Sequence, residues 1–170
     1  MSAGDIVVRA ATTAERDALI ALRFRVFVDE QHVPAAEEID AYDATARHLV
    51  AVTRAGVVVG TARVVLHTGG SAAVPPGVPV PAPPPHAAKI GRVAVDRPWR
   101  GHGVGLRLVA AGVDVARAAG AAEAYLDAQT YALAFYGRLG FQAEGPEFLD
   151  AGIPHRRMRL ALRAAPPTSP

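Results

Sequence analysis

The run Arg100-Gly101-His102-Gly103-Val104-Gly105 constrains the fold more than any other part of the chain. It follows a short β-branched stretch, residues 90–95, and leads into a helical repeat over 103–119. Alternate glycines between a strand and a helix clear side chains from the place where helix N–H groups lack partners. Such a junction accepts an anion, and Arg100 adds a fixed positive charge at its mouth.

The segments around this unit predict a whole domain. Residues 5–9 read as a first strand. Thr12 or Thr13 then offers an N-cap, and Leu19, Leu22, Val26 and Phe27 recur at helical spacing, so a helix is expected over 13–29. Pro34 ends it, and the acidic run from Glu37 to Asp40 follows in a loop or one-turn helix. Residues 48–53 and 57–66 form a hairpin across Arg54-Ala55-Gly56. Residues 69–85 hold seven prolines and no charge, which forbids a helix or a central strand. Residues 68–87 are therefore read as an inserted loop with polyproline II character. A fourth strand over 88–95 precedes the glycine run. In the next helix Val104, Leu108, Ala111 and Val115 mark the apolar stripe, and Gly120 stops it. A strand over 124–127, a helix over 131–139, and strands starting at 141 and 155 complete the order β-α-β-β-β-α-β-α-β-β. The fold class is α/β (α+β): a mixed, mostly antiparallel central sheet of about seven strands with helices on both faces. One domain spans 1–163, with a disordered tail over 164–170.

The glycine spacing sorts the anion. A P-loop places Lys-Ser/Thr after its last glycine, and Leu106-Arg107 stands there instead. A dinucleotide fingerprint needs G-x-G-x-x-G early in a βαβ unit, whereas the spacing here is G-x-G-x-G and two hairpin strands come first. A bare glycine-rich turn without a ligand is the third reading.

A fourth reading covers more of the chain. The run resembles the R/Q-x-x-G-x-G/A segment of the GNAT superfamily of acetyl-CoA-dependent N-acetyltransferases. Val93-Ala94-Val95 looks like the strand before that segment, and Pro98-Trp99-Arg100 like its lead-in. Ala134-Phe135-Tyr136-Gly137-Arg138-Leu139-Gly140-Phe141 is similar to the A-x-x-F/L-Y-x-x-L-G-F segment near the superfamily's C-terminus. The stretch from Leu22 to Gln31 and the run Ala151-Gly152-Ile153-Pro154-His155 resemble a small bacterial GNAT group of unassigned substrate.

The resemblance implies acetyl-CoA as co-substrate and a GNAT fold. The pyrophosphate would rest on N–H groups of Gly101, His102, Gly103, Val104, Gly105 and Leu106 beside Arg100. The pantetheine arm would lie along Val93, Ala94 and Val95. It also implies direct attack of an amine on the thioester, which needs no thiol nucleophile, and the chain has no cysteine. Tyr136 is the implied acid for the departing thiolate, and also a cofactor contact; a buried core tyrosine is the other account of it. Glu30 at the end of the first helix is the candidate base, or an exposed helix-end carboxylate. His155 and His48 are further candidates. Gln129 stands where many relatives place an asparagine on the cofactor. No histidine and carboxylate spacing suggests a metal.

The charge balance limits partners. Eighteen Lys and Arg against sixteen Asp and Glu give a net charge of +2, and the cations are spread along the chain, so no nucleic-acid partner is expected. No apolar run reaches membrane-span length, and the start lacks a secretory leader, so a cytoplasmic protein is the expectation. The acidic stretch from Glu37 to Asp43 is read as a solvated surface loop in preference to a docking site for a cationic acceptor. A homodimer through the C-terminal strands is implied by the resemblance. The function expected is acetyl transfer to a small amine. A CoA-binding module without turnover and a protein or peptide N-acetyltransferase are the alternatives.

Overall fold

The computed structural model describes residues 3–67 and 80–162. Residues 68–79 of the expected insertion and the tail expected over 164–170 lie outside them.

Seven strands form one sheet in the order β1-β2-β3-β4-β5-β7-β6. They are β1 (Ile6–Ala10), β2 (Arg47–Thr53), β3 (Val58–Leu66), β4 (Ala87–Val95), β5 (Glu123–Gln129), β6 (Gln142–Asp150) and β7 (Ile153–Ala161). All neighbours run antiparallel except β4 and β5. Arg54-Ala55-Gly56 makes the expected hairpin turn, with Gly56 at φ +81°. β3 lies inside the sheet and is buried on both faces, with Thr61 and Arg63 the polar side chains buried along it.

Helices cover both faces. On one, α3 (Val104–Ala118) packs over β2, β3 and β4. Its buried stripe is Val104, Leu108, Val109, Gly112, Val113 and Ala116, which corrects the expected one: Ala111 and Val115 lie at its edge. Gly112 sets the tilt, since a Cβ there would meet Ile90 Cδ1 of β4 at 3.3 Å. On the other face, α1 (Arg16–Arg23) lays Leu19 and Leu22 against Val50, Val52, Val58 and Ala94.

The helix expected over 13–29 is instead three pieces: a 3-10 turn at Thr13–Glu15, α1, and a π-helical segment at Phe24–Glu30. The widened turns let Val26 stay in the core while Phe27 turns to a cavity beneath the helix. The acidic run enters α2 (Ala35–Glu38), one turn long as expected. The helix expected over 131–139 shrinks to α4 (Leu133–Gly137) behind a 3-10 turn at Thr130–Ala132. β6 begins at Gln142, within the expected starting stretch, and runs to Asp150. A register shift between Glu144 and Phe148, with Gly145 at φ +69°, absorbs the Gly145-Pro146 pair that hides the strand in the sequence.

Candidate active site

The parallel pairing of β4 and β5 lasts only three residue pairs, Ala87 with Glu123, Ala88 with Ala124 and Lys89 with Tyr125. Beyond them β4 continues to Val95 and β5 to Gln129 without bonding each other. β4 bulges at the start of this gap: its register against β3 shifts between Thr61 and Arg63, and Arg92 takes φ +51°. The gap opens into a cavity of about 690 Å³ on the α1 side of the sheet. A cavity of that size suits a small molecule.

The glycine run stands at one end of the gap. Gly101 and Gly103 have φ of +77° and +75°, and Gly103 caps α3 in the left-handed region. The first bond at this helix start runs from the N–H of Arg107 to the Gly103 carbonyl at 3.1 Å. The N–H groups of Val104, Gly105 and Leu106 therefore face out of the helix at its positive end. A Cβ on Gly101 or Gly103 would meet nothing within 4 Å, whereas one on Gly105 would meet the Phe135 ring at 3.2 Å. The open N–H cradle and the strand gap fit the pyrophosphate and the extended arm of CoA. Gly103→Val is expected to strain the cap by about 1–2 kcal/mol and fill the cradle. Acetyl-CoA affinity should fall about tenfold or more by titration calorimetry.

The expected site residues fall into two groups. Val93, Gln129, Tyr136 and His155 line the cavity together. The Tyr136 ring packs edge-on to Phe135 and Phe141, and its hydroxyl has no hydrogen-bond partner among the described residues. Burial pushes that hydroxyl up to about 12. His155 Nδ1 lies 2.7 Å from the Ile153 carbonyl, which can only accept. That contact places an N–H on Nδ1 and leaves Nε2 turned away from the Ile153 carbonyl. Phe148 stacks on the ring. Gln129 donates to Gln31 Oε1 at 2.8 Å and accepts from the Tyr131 hydroxyl.

Glu30 and His48 stand elsewhere. Both Glu30 oxygens take N–H groups of Arg100, at 2.8 and 3.0 Å, and these bonds hold the carboxyl below its usual range. Arg100 Nε also donates to the Val95 carbonyl. His48 on β2 meets the Asp43 carbonyl through Nε2, and neither residue lines the cavity.

The acetyltransferase (GNAT) domain family model matches residues 10–162. The chain belongs to the GNAT acetyltransferases. Its relatives include an N-acetyltransferase of Bacillus subtilis, YjcF, 36% identical over 138 residues, covering 81% of this chain and 86% of that one. An acyl-CoA N-acyltransferase structure from Pseudomonas aeruginosa superposes with a TM-score of 0.71 at 31% identity, over 92% of this chain and 99% of that one. A Brucella melitensis GNAT acetyltransferase, solved in complex with acetyl-CoA, shares the fold at a TM-score of 0.68 and 22% identity, over 95% and 91% of the two chains. This GNAT protein is thus an acyltransferase.

Two ion networks shape the GNAT cavity, and neither is legible as a motif. Arg23, 1% exposed, donates to Glu38 Oε1 and to the Asp43 carboxylate at 2.6 Å. Arg63 binds both oxygens of Asp40, and Arg92 reaches the Glu38 carbonyl and both Glu38 and Asp40 carboxylates. Three cations thus meet three anions. Glu38 and Asp43 are 2% exposed, so the solvated loop expected over this stretch is corrected to an internal tie between α1, α2 and the sheet. Buried charges of this kind must be paired.

The second network lies on β4, β5 and β7. Asp127 takes both Nε and Nη2 of Arg157, at 2.9 and 3.3 Å, and Lys89 Nζ at 3.1 Å. Burial pushes the Asp127 carboxyl up, but Lys89 and Arg157 outweigh it and hold it below its usual range. Arg157 also sits 4.6 Å over the Tyr125 ring and donates to the Pro81 and Ala82 carbonyls. The floor comes from register: alternate residues Tyr125, Asp127 and Gln129 of β5 pair with Arg159, Arg157 and His155 of β7. Among the described residues no helix is long and apolar enough to cross a membrane, and no His/Asp/Glu group could hold a metal.

Proposed function

We propose that this acetyltransferase transfers the acetyl group to the amine of a small molecule held in the cavity. The observation that carries the reading is the strand gap, which opens into that cavity beside Tyr136 and His155. Acetyl-CoA supplies the acetyl group as a thioester, whose C–S bond breaks as the new C–N bond forms. His155 Nε2 takes the proton from the attacking nitrogen. Tyr136 gives its proton to the departing thiolate. The β4 backbone around Val93, Ala94 and Val95 gives an N–H to the carbonyl oxygen. Gly101, His102, Gly103, Val104, Gly105 and Leu106 hold the pyrophosphate, and Gln129 orients the arm.

Arg100 serves this role once Glu30 shares it. The carboxylate is engaged by two guanidinium N–H groups and lies outside the cavity, so we assign Glu30 to hold Arg100 at the cradle. Arg97, 3.5 Å from the same carboxylate, supports it.

Calorimetry should give acetyl-CoA binding in the micromolar range or tighter, about −8 kcal/mol. A panel of primary amines with thiol detection should then release CoA only when an acceptor is present. Binding without release for any amine would identify a CoA-binding module; acetylation confined to proteins in a lysate would point to a peptide substrate.

A further inference from the structure

The cavity has an amine end and a second end. His155, Gln129 and Tyr136 mark the first. The second is built on the same face of the sheet by Lys89, Tyr125, Asp127 and Arg157, with His67 beyond β3.

The charges at this second end do not cancel. Lys89 and Arg157 share one carboxylate, Asp127, leaving one positive charge in excess. The Arg157 donors are taken up by Asp127 and two carbonyls. Lys89 differs. It is the only lysine in the chain, its side chain is 32% exposed, and Asp127 is its only ion-pair partner among the described residues. An ammonium has three donors, so two remain for a ligand. His67 Nε2 lies 2.9 Å from the Tyr125 hydroxyl. Burial, Lys89 and Arg157 all lower the His67 pKa; in the tautomer whose Nε2 accepts from the Tyr125 hydroxyl, Nδ1 carries an N–H. No described residue takes that N–H. The other cavity cations, Arg63 and Arg92, are already matched by Asp40 and Glu38. Glu37 and Asp150 lie exposed at the rim, in water.

We infer that the acceptor is an amine that also carries a carboxylate, bound by Lys89 with His67 as a second donor. This rests on the small-amine reading above. The spacing sets the size. Asp127, which holds the Lys89 ammonium, stands two residues before Gln129 on β5, and Gln129 pairs with His155. Two strand residues span about 7 Å. The nitrogen and the carboxylate are therefore separated by several bonds, as in an ω-amino acid, rather than by the single carbon of an α-amine.

Matched acceptors test this. CoA release is measured for 5-aminovalerate against pentylamine, and for lysine against cadaverine. The acid of each pair should show kcat/KM at least tenfold higher, mainly through a lower KM. Lys89→Met should bring the acid down to the level of its neutral partner, and Lys89→Arg should keep the preference. A binding readout is independent of turnover: 5-aminovalerate titrated into the protein without acetyl-CoA should shift the His67 ring signals in the NMR spectrum, and pentylamine should not. Equal turnover of both members of each pair, or a preference that survives Lys89→Met, overturns the inference and leaves the small-amine reading intact. No CoA release with any amine removes that reading, and the inference with it. Thermal melting of each variant separates loss of the subsite from loss of the fold.

Discussion

Tyr136→Phe is expected to lower kcat about a hundredfold while acetyl-CoA affinity stays within about threefold. Tyr136 lines the cavity and its hydroxyl has no partner among the described residues, so its removal orphans nothing. The remaining ring keeps its contacts with Phe135 and Phe141, and the fold should be unaffected. What is lost is the proton. Because burial pushes the hydroxyl up to about 12, it stays protonated across the neutral range and is ready when thiolate charge develops. The pH profile should accordingly show no alkaline loss from this group near neutrality. His155→Gln separates the two proton steps: it should slow acetyl transfer at saturating acetyl-CoA, and more reactive, less basic amines should recover part of the rate. Stopped-flow release of CoA measures both. A Tyr136→Phe protein that binds acetyl-CoA poorly but turns over normally would remove the tyrosine from the acid role.

Arg23→Met should be the most damaging change to stability, costing about 3–5 kcal/mol. Methionine matches much of the arginine stem but leaves Glu38 and Asp43 buried without their shared cation. At about 2–4 °C per kcal/mol for a chain of this size, the melting midpoint should fall roughly 10 °C. Acid dependence gives a second readout. Burial pushes the Asp43 carboxyl up, but the Arg23 bonds, the Asp40 N–H and the Arg63 charge outweigh it and hold it well below the carboxylate range. A folded-state pKa below the unfolded value stabilises above about pH 4 and is lost as the pH falls further. The wild type should therefore lose stability steeply below that point. The variant, whose Asp43 lacks Arg23, should lose less. Equal acid slopes in urea titrations would show that the Arg23 pair contributes nothing to the linkage.

Local pattern carried the element order and the glycine turn at the start of α3 because both depend on short stretches. Alternation, helical spacing and the stops at Pro34 and Gly120 act within a few residues. The glycine cradle is legible for the same reason: its chemistry is main-chain, and glycine is the residue that exposes main chain. The acceptor end was hidden because it is assembled from register. Lys89, Asp127 and Arg157 are far apart in sequence and meet only through the pairing of β4, β5 and β7. The acidic stretch misled for a related reason. A run of carboxylates reads as solvated until Arg23, Arg63 and Arg92, from three distant segments, are brought to it. The first helix departed from its pattern because an α and a π turn bury nearly the same apolar residues and differ in where the others point.

The tie between Arg157 and the Pro81 and Ala82 carbonyls gives the proline-rich excursion a fixed return point. Its departure is fixed too, by the bond from the His67 N–H to the Ala87 carbonyl at 2.8 Å. Between two anchored ends, chain length is nearly free: each doubling of a loop costs only about 0.6 kcal/mol. A peptide tag or reporter inserted between these two anchors should therefore be carried by a working enzyme, measured as CoA release equal to that of the parent protein.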